Sequence, residues 1–426
     1  MNPALSKKDS LLYNGRKGGV KILAITGASG GHIFPTLGFL DTLNNKSRTF
    51  LPQEALYTKK VRDKHKDIDV ILVLPKKSIT NQIKSFEYKF NYISISSIKL
   101  GFDFRNFSAI LRFFKGSWES LIILLTFRPD VVVGFGSLVC IPMILFAWLF
   151  RIKTLIHEQN VIPGRANRFL GLFTDRIAIS FAQTCDYFKD YKRKVVLTGN
   201  PIRKELSRID KNKALDFFGF NSDKFTILVM GGSLGSQRIN FAFLRAVSAM
   251  PDKSSFQVIH LAGAQDFDFL KNSYEDSNIN SRLFNFLGPM QYAYSVCDLV
   301  ISRSGATTIA ELIFFGLPAI LIPYPFAYRH QIANAKVLET IGSAIIVQDN
   351  NLDSDILSKN IEELINNPER IKAMRSYYDN IPRLNANDLL VEAVLTLSED
   401  ISYSSKLSRQ QNASKICSKF SCNCRG

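Results

Sequence analysis

Short apolar runs separated by helix-length segments set the pattern of this chain. VKILAIT, DVILVLP, NYISIS, PDVVVGF, TLIHE and RIAIS fall in the first half, and FTILVMG, FQVIHLAG, RLFNFLG, DLVISR, PAILIPY and SAIIVQ in the second. They are largely uncharged and rich in β-branched residues, as expected of strands buried on both faces of a parallel sheet. Between them HIFPTLGFLDTL, WESLIILLTF, TTIAELIFFG and HQIANAKVLETIG carry the helical pattern. Strands alternating with helices predict an α/β protein whose sheets are covered on both faces.

At 426 residues the chain exceeds what one core usually organises, so two domains are expected. Each half has a glycine-rich turn after a strand, GASGGH at 27–32 and GGSLGS at 231–236. The boundaries read as a flexible extension over 1–19, a first unit over 20–202 with a return helix at 383–398, and a second unit over 203–382. A basic, disordered tail spans 399–426. The stretch from about Thr198 to Asp223 reads as a linker, and 45–66 as a solvated insertion.

Two apolar stretches leave alternatives open. Residues 131–150 carry no charge over a length that could cross a bilayer. The favoured reading is a buried strand, a GFGS turn and a short helix with Pro142 in its first turn. Further upstream, Phe107, Ile110, Leu111, Phe114 and Trp118 share one helical stripe beside Arg105, Arg112 and Lys115. This stripe suits either a membrane surface or packing on the sheet.

The formal net charge of +17 favours anionic partners: nucleic acid, an acidic membrane or phosphorylated substrates. Six irregularly spaced cysteines argue against a disulfide framework and for a reducing compartment. Cys417, Cys422 and Cys424 lack a fourth ligand nearby for zinc. No signal-peptide core is expected at the N-terminus.

In GASGGHIFP, glycines let the backbone approach an anion and the following helix offers its N-terminus. The spacing is not the G-x-G-x-x-G of dinucleotide dehydrogenases. His32 closes this turn, either as a general base or as a group that merely caps the loop. HEQN places His157, Glu158, Gln159 and Asn160 at another strand end, where a carboxylate could orient a hydroxyl or act as the base itself. In SRSGATTIAE a helix N-terminus suited to pyrophosphate lies roughly 6 Å from Glu311, an offset that suits the ribose of the same nucleotide.

GASGGHIFP, GFGS, HEQNVIPGRANR, LTGNPIRKEL, LVMGGSLGSQRIN and SRSGATTIAELIFFGLPAILIPYP, in this order over residues 20–398, resemble the MurG family of glycosyltransferases. The resemblance implies a glycosyltransferase B fold, two Rossmann-like doubly wound domains facing a cleft. It further implies transfer of N-acetylglucosamine (GlcNAc) from UDP-GlcNAc to undecaprenyl-pyrophosphoryl-MurNAc-pentapeptide, converting lipid I to lipid II in peptidoglycan synthesis. Such an enzyme would sit peripherally on the cytoplasmic side of the inner membrane, against anionic lipids and without nucleic acid.

Carried over to this chain, the family's donor contacts fall on Ser29, Gly30, Gly31, Asn160, Arg203, Ser233, the backbone of Leu287, the run Ala306, Thr307, Thr308, Ile309, Ala310 and Glu311, and Gln331. His32 or Glu158 would serve as the base of an inverting displacement, with His32 favoured. Arg203 and the helix N-termini would meet the diphosphate charge without a tightly bound metal or another cofactor. Ser137 and Leu138 in GFGSLVC, and His330 in YPFAYRHQ, depart from the family pattern. The rival readings are a related enzyme acting on another lipid such as diacylglycerol, and a non-catalytic membrane scaffold.

Overall fold

The computed structural model describes residues 19–49, 68–76, 89–95, 104–232, 235–326, 329–382 and 384–399. Most of the extension, most of the 45–66 segment, Ser233 and the cysteine-containing tail lie outside the described residues.

The first sheet contains β1 (Val20–Ile25), β2 (Ile68–Pro75), β3 (Lys89–Ile93), β4 (Val131–Gly134), β5 (Lys153–Glu158), β6 (Arg176–Ile179) and β7 (Val195–Leu197). Its order is β3-β2-β1-β4-β5-β6-β7, with every pairing parallel. The second contains β8 (Phe225–Met230), β9 (Phe256–Leu261), β10 (Ser281–Phe284), β11 (Leu299–Ser302), β12 (Ala319–Leu321) and β13 (Ala344–Ile346). Its order, β10-β9-β8-β11-β12-β13, repeats the first and is again all parallel.

The helices around the first sheet are α1 (Gly30–Thr49), α2 (Phe104–Phe127), α3 (Cys140–Leu149) and α4 (Arg165–Leu170), followed by a 3-10 stretch over Ala182–Lys194. Around the second lie α5 (Lys211–Phe218), α6 (Gln237–Ala249), α7 (Phe267–Glu275), α8 (Met290–Val296), α9 (Ala306–Phe315), α10 (His330–Thr340), α11 (Ser354–Ile365) and α12 (Pro368–Ser376). The last helix, α13 (Ala386–Ser398), returns to the first sheet, where Leu390, Val391 and Val394 join Leu37, Leu40 and Leu43 of α1 in one core. Asn387 pins this return by donating to Gly38 O at 3.2 Å and Ile202 O at 2.8 Å.

Because both faces of each sheet are covered, the central strands are buried throughout: Ile22 to Ile25 and Val131 to Val133 have no exposed surface. This is why they read as continuous apolar runs rather than alternating ones. Residues 131–150 form a strand, a turn and a ten-residue helix. Among the described residues no helix is long and apolar enough to cross a membrane.

Three expectations need correction. The proposed linker contains α5, with Asp210 accepting from Asn212 N and Lys213 N at its start and Gly219 left-handed at its end. The charges of RIDKNK masked a helix whose Ala214, Leu215 and Phe218 enter the core of the second unit. The return helix starts at Ala386, capped by Asn385, rather than at 383. RLFNFLG is strand only as far as Phe284.

In each sheet the strand order reverses once, between β1 and β4 and between β8 and β11. Crevices for ligands open at the carboxyl ends of strands at such points. GASGGH follows β1, GFGS follows β4, GGSLGS follows β8 and SRSG follows β11, so all four turns stand at these two crevices.

Candidate active site

His32 occupies the first turn of α1, where its backbone N–H donates to Ser29 O at 3.0 Å. The imidazole is wedged between two glycine turns. A Cβ on Gly27 would stand 2.7 Å from His32 Cδ2, and one on Gly136, with φ +85°, 3.3 Å from Cε1. These glycines therefore make room for the ring as well as for the backbone turn. His32 Nδ1 lies 3.1 Å from Gln159 Oε1. Burial lowers the imidazole pKa below 6.5, while the nearby Glu158 carboxylate and the Gln159 bond oppose that shift.

Glu158 ends β5 and is buried. Its Oε1 accepts from Asn160 N at 2.9 Å and Asn160 Nδ2 at 3.3 Å, and its Oε2 from Gly164 N at 3.0 Å and Asn167 Nδ2 at 2.8 Å. Four donors hold this carboxylate in place and shape the loop that follows it. All four contacts are made within the HEQN segment and the start of α4.

Asn160 is committed at both ends, since its Oδ1 also accepts from Asn334 Nδ2 at 3.0 Å. Any ligand contact it makes must share these atoms. Ser29, Gly30 and Gly31 lie together at the start of α1.

On the facing unit, α9 begins after the SRSG turn. Ala306, Ile309 and Ala310 are buried, and Ile309 packs wholly into the apolar core, so its side chain cannot meet a ligand. Within this run Thr307, Thr308 and Glu311 carry the polar side chains, and Thr307 Oγ1 is buried without a partner. Glu311 Oε2 accepts from the Tyr294 hydroxyl at 2.7 Å, and Oε1 lies 4.0 Å from Arg203 NH2. Burial raises the Glu311 carboxyl above its usual range, against the opposing pull of Arg203 and Tyr294. Arg203 also stacks over the Phe34 ring of α1 at 4.4 Å, so it stands between α1 and α9.

Gln331 Oε1 accepts from Ser304 N at 3.3 Å and Tyr324 N at 2.9 Å, which fixes Nε2 as the donor end of this amide. Leu287 is buried in the loop beyond β10. His330, a departure from the family pattern, donates Nδ1–H to Ile162 O at 2.8 Å and so joins the two units. Ser233 falls outside the described residues.

Sequence reading missed two residues here and gave a third, Gln159, no role of its own. Tyr294 holds Glu311, Asn334 joins the units, and Gln159 faces His32. Only Gln159 had a local signal, its place in HEQN; the others act from helices whose periodicity announces nothing but packing.

Residues 57–179 match the glycosyltransferase family 28 N-terminal domain, and residues 226–386 the family 28 C-terminal domain. The UDP-N-acetylglucosamine--N-acetylmuramyl-(pentapeptide) pyrophosphoryl-undecaprenol N-acetylglucosamine transferase of Thermodesulfovibrio yellowstonii is 35% identical over 362 residues, 83% of this chain and 92% of that one. The enzyme of the same name from Listeria welshimeri is 33% identical, covering 88% of this chain and 99% of its own.

Among solved structures, Acinetobacter baumannii MurG superposes with a TM-score of 0.65 at 24% identity, over 88% of this chain and 99% of that one. UDP-GlcNAc 2-epimerase from Neisseria meningitidis, bound to UDP-GlcNAc, gives 0.60 at 16%, over 88% and 100%. These two likenesses bear on the fold, which is the glycosyltransferase B arrangement of two facing parallel-sheet units. Both matched domains, and identity above 30% over nearly the whole length of the relatives, make this chain a member of the MurG family of glycosyltransferases.

Proposed function

We propose that the enzyme moves GlcNAc from UDP-GlcNAc to the muramyl 4-hydroxyl of undecaprenyl-pyrophosphoryl-MurNAc-pentapeptide, making lipid II for peptidoglycan. The supporting observation is the set of buried polar atoms without partners around α9 and the segment leading to Arg203. Thr307 Oγ1, Arg203 Nε and both amide atoms of Asn200 are unsatisfied among the described residues. Buried polar groups cost about 1–3 kcal/mol each when left unpaired, and a nucleotide diphosphate offers the oxygens and hydroxyls that would pair them.

In this reading the helix α9 N-terminus, Thr307, Thr308 and Arg203 hold the diphosphate, Glu311 takes a ribose hydroxyl, and the Leu287 backbone meets uracil. Ser233 and the 29–31 turn add donors, and Gln331 Nε2 donates to the sugar. The acceptor oxygen attacks the anomeric carbon from the face opposite the leaving group. As the new C–O bond forms, the bond to the β-phosphate breaks, UDP leaves with the electron pair, and the hydroxyl proton passes to His32 Nε2. No tightly bound metal is required, because the departing charge is met by Arg203 and backbone N–H groups. Activity that survives exhaustive chelation would support that part.

A lipid acceptor calls for a membrane face, and the first unit has a suitable one. Leu111, Phe114 and Trp118 on α2 are 55%, 67% and 64% exposed, and Trp148 and Leu149 at the end of α3, which packs beside α2, are 51% and 63% exposed. Arg112, Lys115 and Arg151 lie among them on the surface. Each basic residue near an anionic leaflet contributes about 1 kcal/mol. This face supports the reading that the enzyme attaches peripherally to the cytoplasmic side of the inner membrane; a part in cell shape and division is proposed through the product.

The test is transfer of radiolabelled GlcNAc by purified enzyme to lipid I and, in parallel, to diacylglycerol. Label in lipid II supports the reading. Transfer to diacylglycerol alone, or UDP-GlcNAc binding without turnover on either acceptor, replaces it with one of the rivals.

A further inference from the structure

We propose that Gln159 is a positioning residue that fixes His32 as its Nδ1–H tautomer and reserves Nε2 for the reacting proton. The inference rests on His32 being the base. It comes from the direction of each hydrogen bond around a single buried amide.

Gln159 is buried, with Nε2 lying 3.2 Å from Phe135 O and 3.2 Å from His157 O. Carbonyl oxygens only accept, so the NH2 end of the amide must face them. The opposite end, Oε1, therefore faces His32 Nδ1 at 3.1 Å, and because that oxygen too only accepts, Nδ1 must carry the hydrogen. In both the neutral and the charged ring this hydrogen stays in place. The proton gained or lost sits on Nε2.

His157 reinforces the assignment. Its Nδ1 lies 3.0 Å from Gln159 Nε2 and so accepts, and its Nε2–H then donates to Gly199 O at 3.1 Å. This pattern needs a neutral ring, and burial pushes the His157 pKa down to about 4. The two hydrogens of Gln159 Nε2 are shared among three acceptors, Phe135 O, His157 O and His157 Nδ1, and the donor–acceptor direction is the same at every link from Gly199 through His157 and Gln159 to His32. A neutral amide in this place orients the base without raising its pKa as a carboxylate would.

The tautomers can be read in the full-length protein by long-range proton–nitrogen NMR with labelled histidine, since the chain has five histidines. Wild-type His32 should be protonated at Nδ1 and His157 at Nε2. Gln159→Met should move His32 toward the Nε2–H form and lower kcat about 10- to 100-fold, with KM for UDP-GlcNAc within about twofold.

A wild-type His32 protonated at Nε2 overturns the proposal, whether or not the variants fold. So does a folded Gln159→Met protein whose His32 tautomer and kcat are unchanged while His32→Ala is inactive. Full turnover by His32→Ala instead overturns the base reading, and this inference with it.

Discussion

Asn334 Nδ2 donates to Asn160 Oδ1 across 3.0 Å, tying α10 of the second unit to the loop after β5 of the first. The same side chain donates to Ser304 O at 3.2 Å and accepts from Val161 N at 3.0 Å, so one buried amide joins a donor-side turn to the HEQN loop. Asn334→Ala should lower stability by roughly 1–3 kcal/mol. It should also raise KM for UDP-GlcNAc several-fold, because the cleft floor loses its fixed spacing. Thermal unfolding and steady-state kinetics check the two effects separately.

Tyr294 donates its hydroxyl to Glu311, the residue proposed to take a ribose hydroxyl. Tyr294→Phe leaves a buried carboxylate oxygen without its donor, a loss of about 1 kcal/mol or slightly more. KM for UDP-GlcNAc should rise roughly 3- to 10-fold with kcat nearly unchanged. An unchanged KM would show that Tyr294 serves packing only.

His32 and Glu158 should part company under mutation. His32→Ala should reduce kcat at least about 100-fold with little change in melting temperature. Glu158→Gln should destabilise the protein by roughly 2–4 kcal/mol, since an NH2 group would then face N–H donors. A Glu158→Gln enzyme that melts normally but does not turn over would return the base to Glu158.

Stability should depend on pH through histidines whose pKa burial lowers, His32 among them and His157 and His260 most clearly. His157 and His260 are held neutral by burial, with pKa values of about 4 and about 3 against 6.5 when unfolded. The unfolded chain therefore binds more protons below about pH 6.5, so stability is complete above that pH and declines as pH falls toward these folded values. Each tenfold difference in proton affinity is worth about 1.4 kcal/mol. The melting temperature should hold between pH 7 and 8 and drop steeply below about pH 6; a flat profile down to pH 5 would count against this.

The exposed face of α2 gives a test that leaves the cleft intact. Replacing both Phe114 and Trp118 with Asp should abolish sedimentation with anionic vesicles while the turnover of a water-soluble acceptor analogue is retained. High salt should weaken wild-type binding in the same assay.

The alternation of strands and helices was legible because the central strands are buried on both faces and the turns after β1, β4, β8 and β11 carry glycine. Locating α5 required trusting Asp210 and Gly219 as caps over the charges between them. For the amphipathic stripe, the sequence left two possibilities; the structure turns Ile110, Leu111, Phe114 and Trp118 outward, so it is another face of α2 that packs on the sheet. Gly116, Ser120 and Leu124 face inward, and a Cβ on Gly116 would come within 2.3 Å of Ile95, while Leu111, Phe114 and Trp118 face outward. The interlocking of Asn334 with Asn160, or of Tyr294 with Glu311, had no trace in the sequence. Such pairs join residues 174 and 17 positions apart through single hydrogen bonds, which impose no periodicity on either segment.

The return of α13 to the first sheet sets an order of events during synthesis. Leu390, Val391 and Val394 complete the core beside α1, yet they leave the ribosome only after every strand of the second sheet. The unit translated first must wait with one flank open, while the unit translated second already has all its strands and most of its helices. Domains commonly fold as they emerge, N-terminal first. Here the first half to emerge is the last to close, and truncation ahead of Ala386 would impair the half of the protein farthest away in sequence.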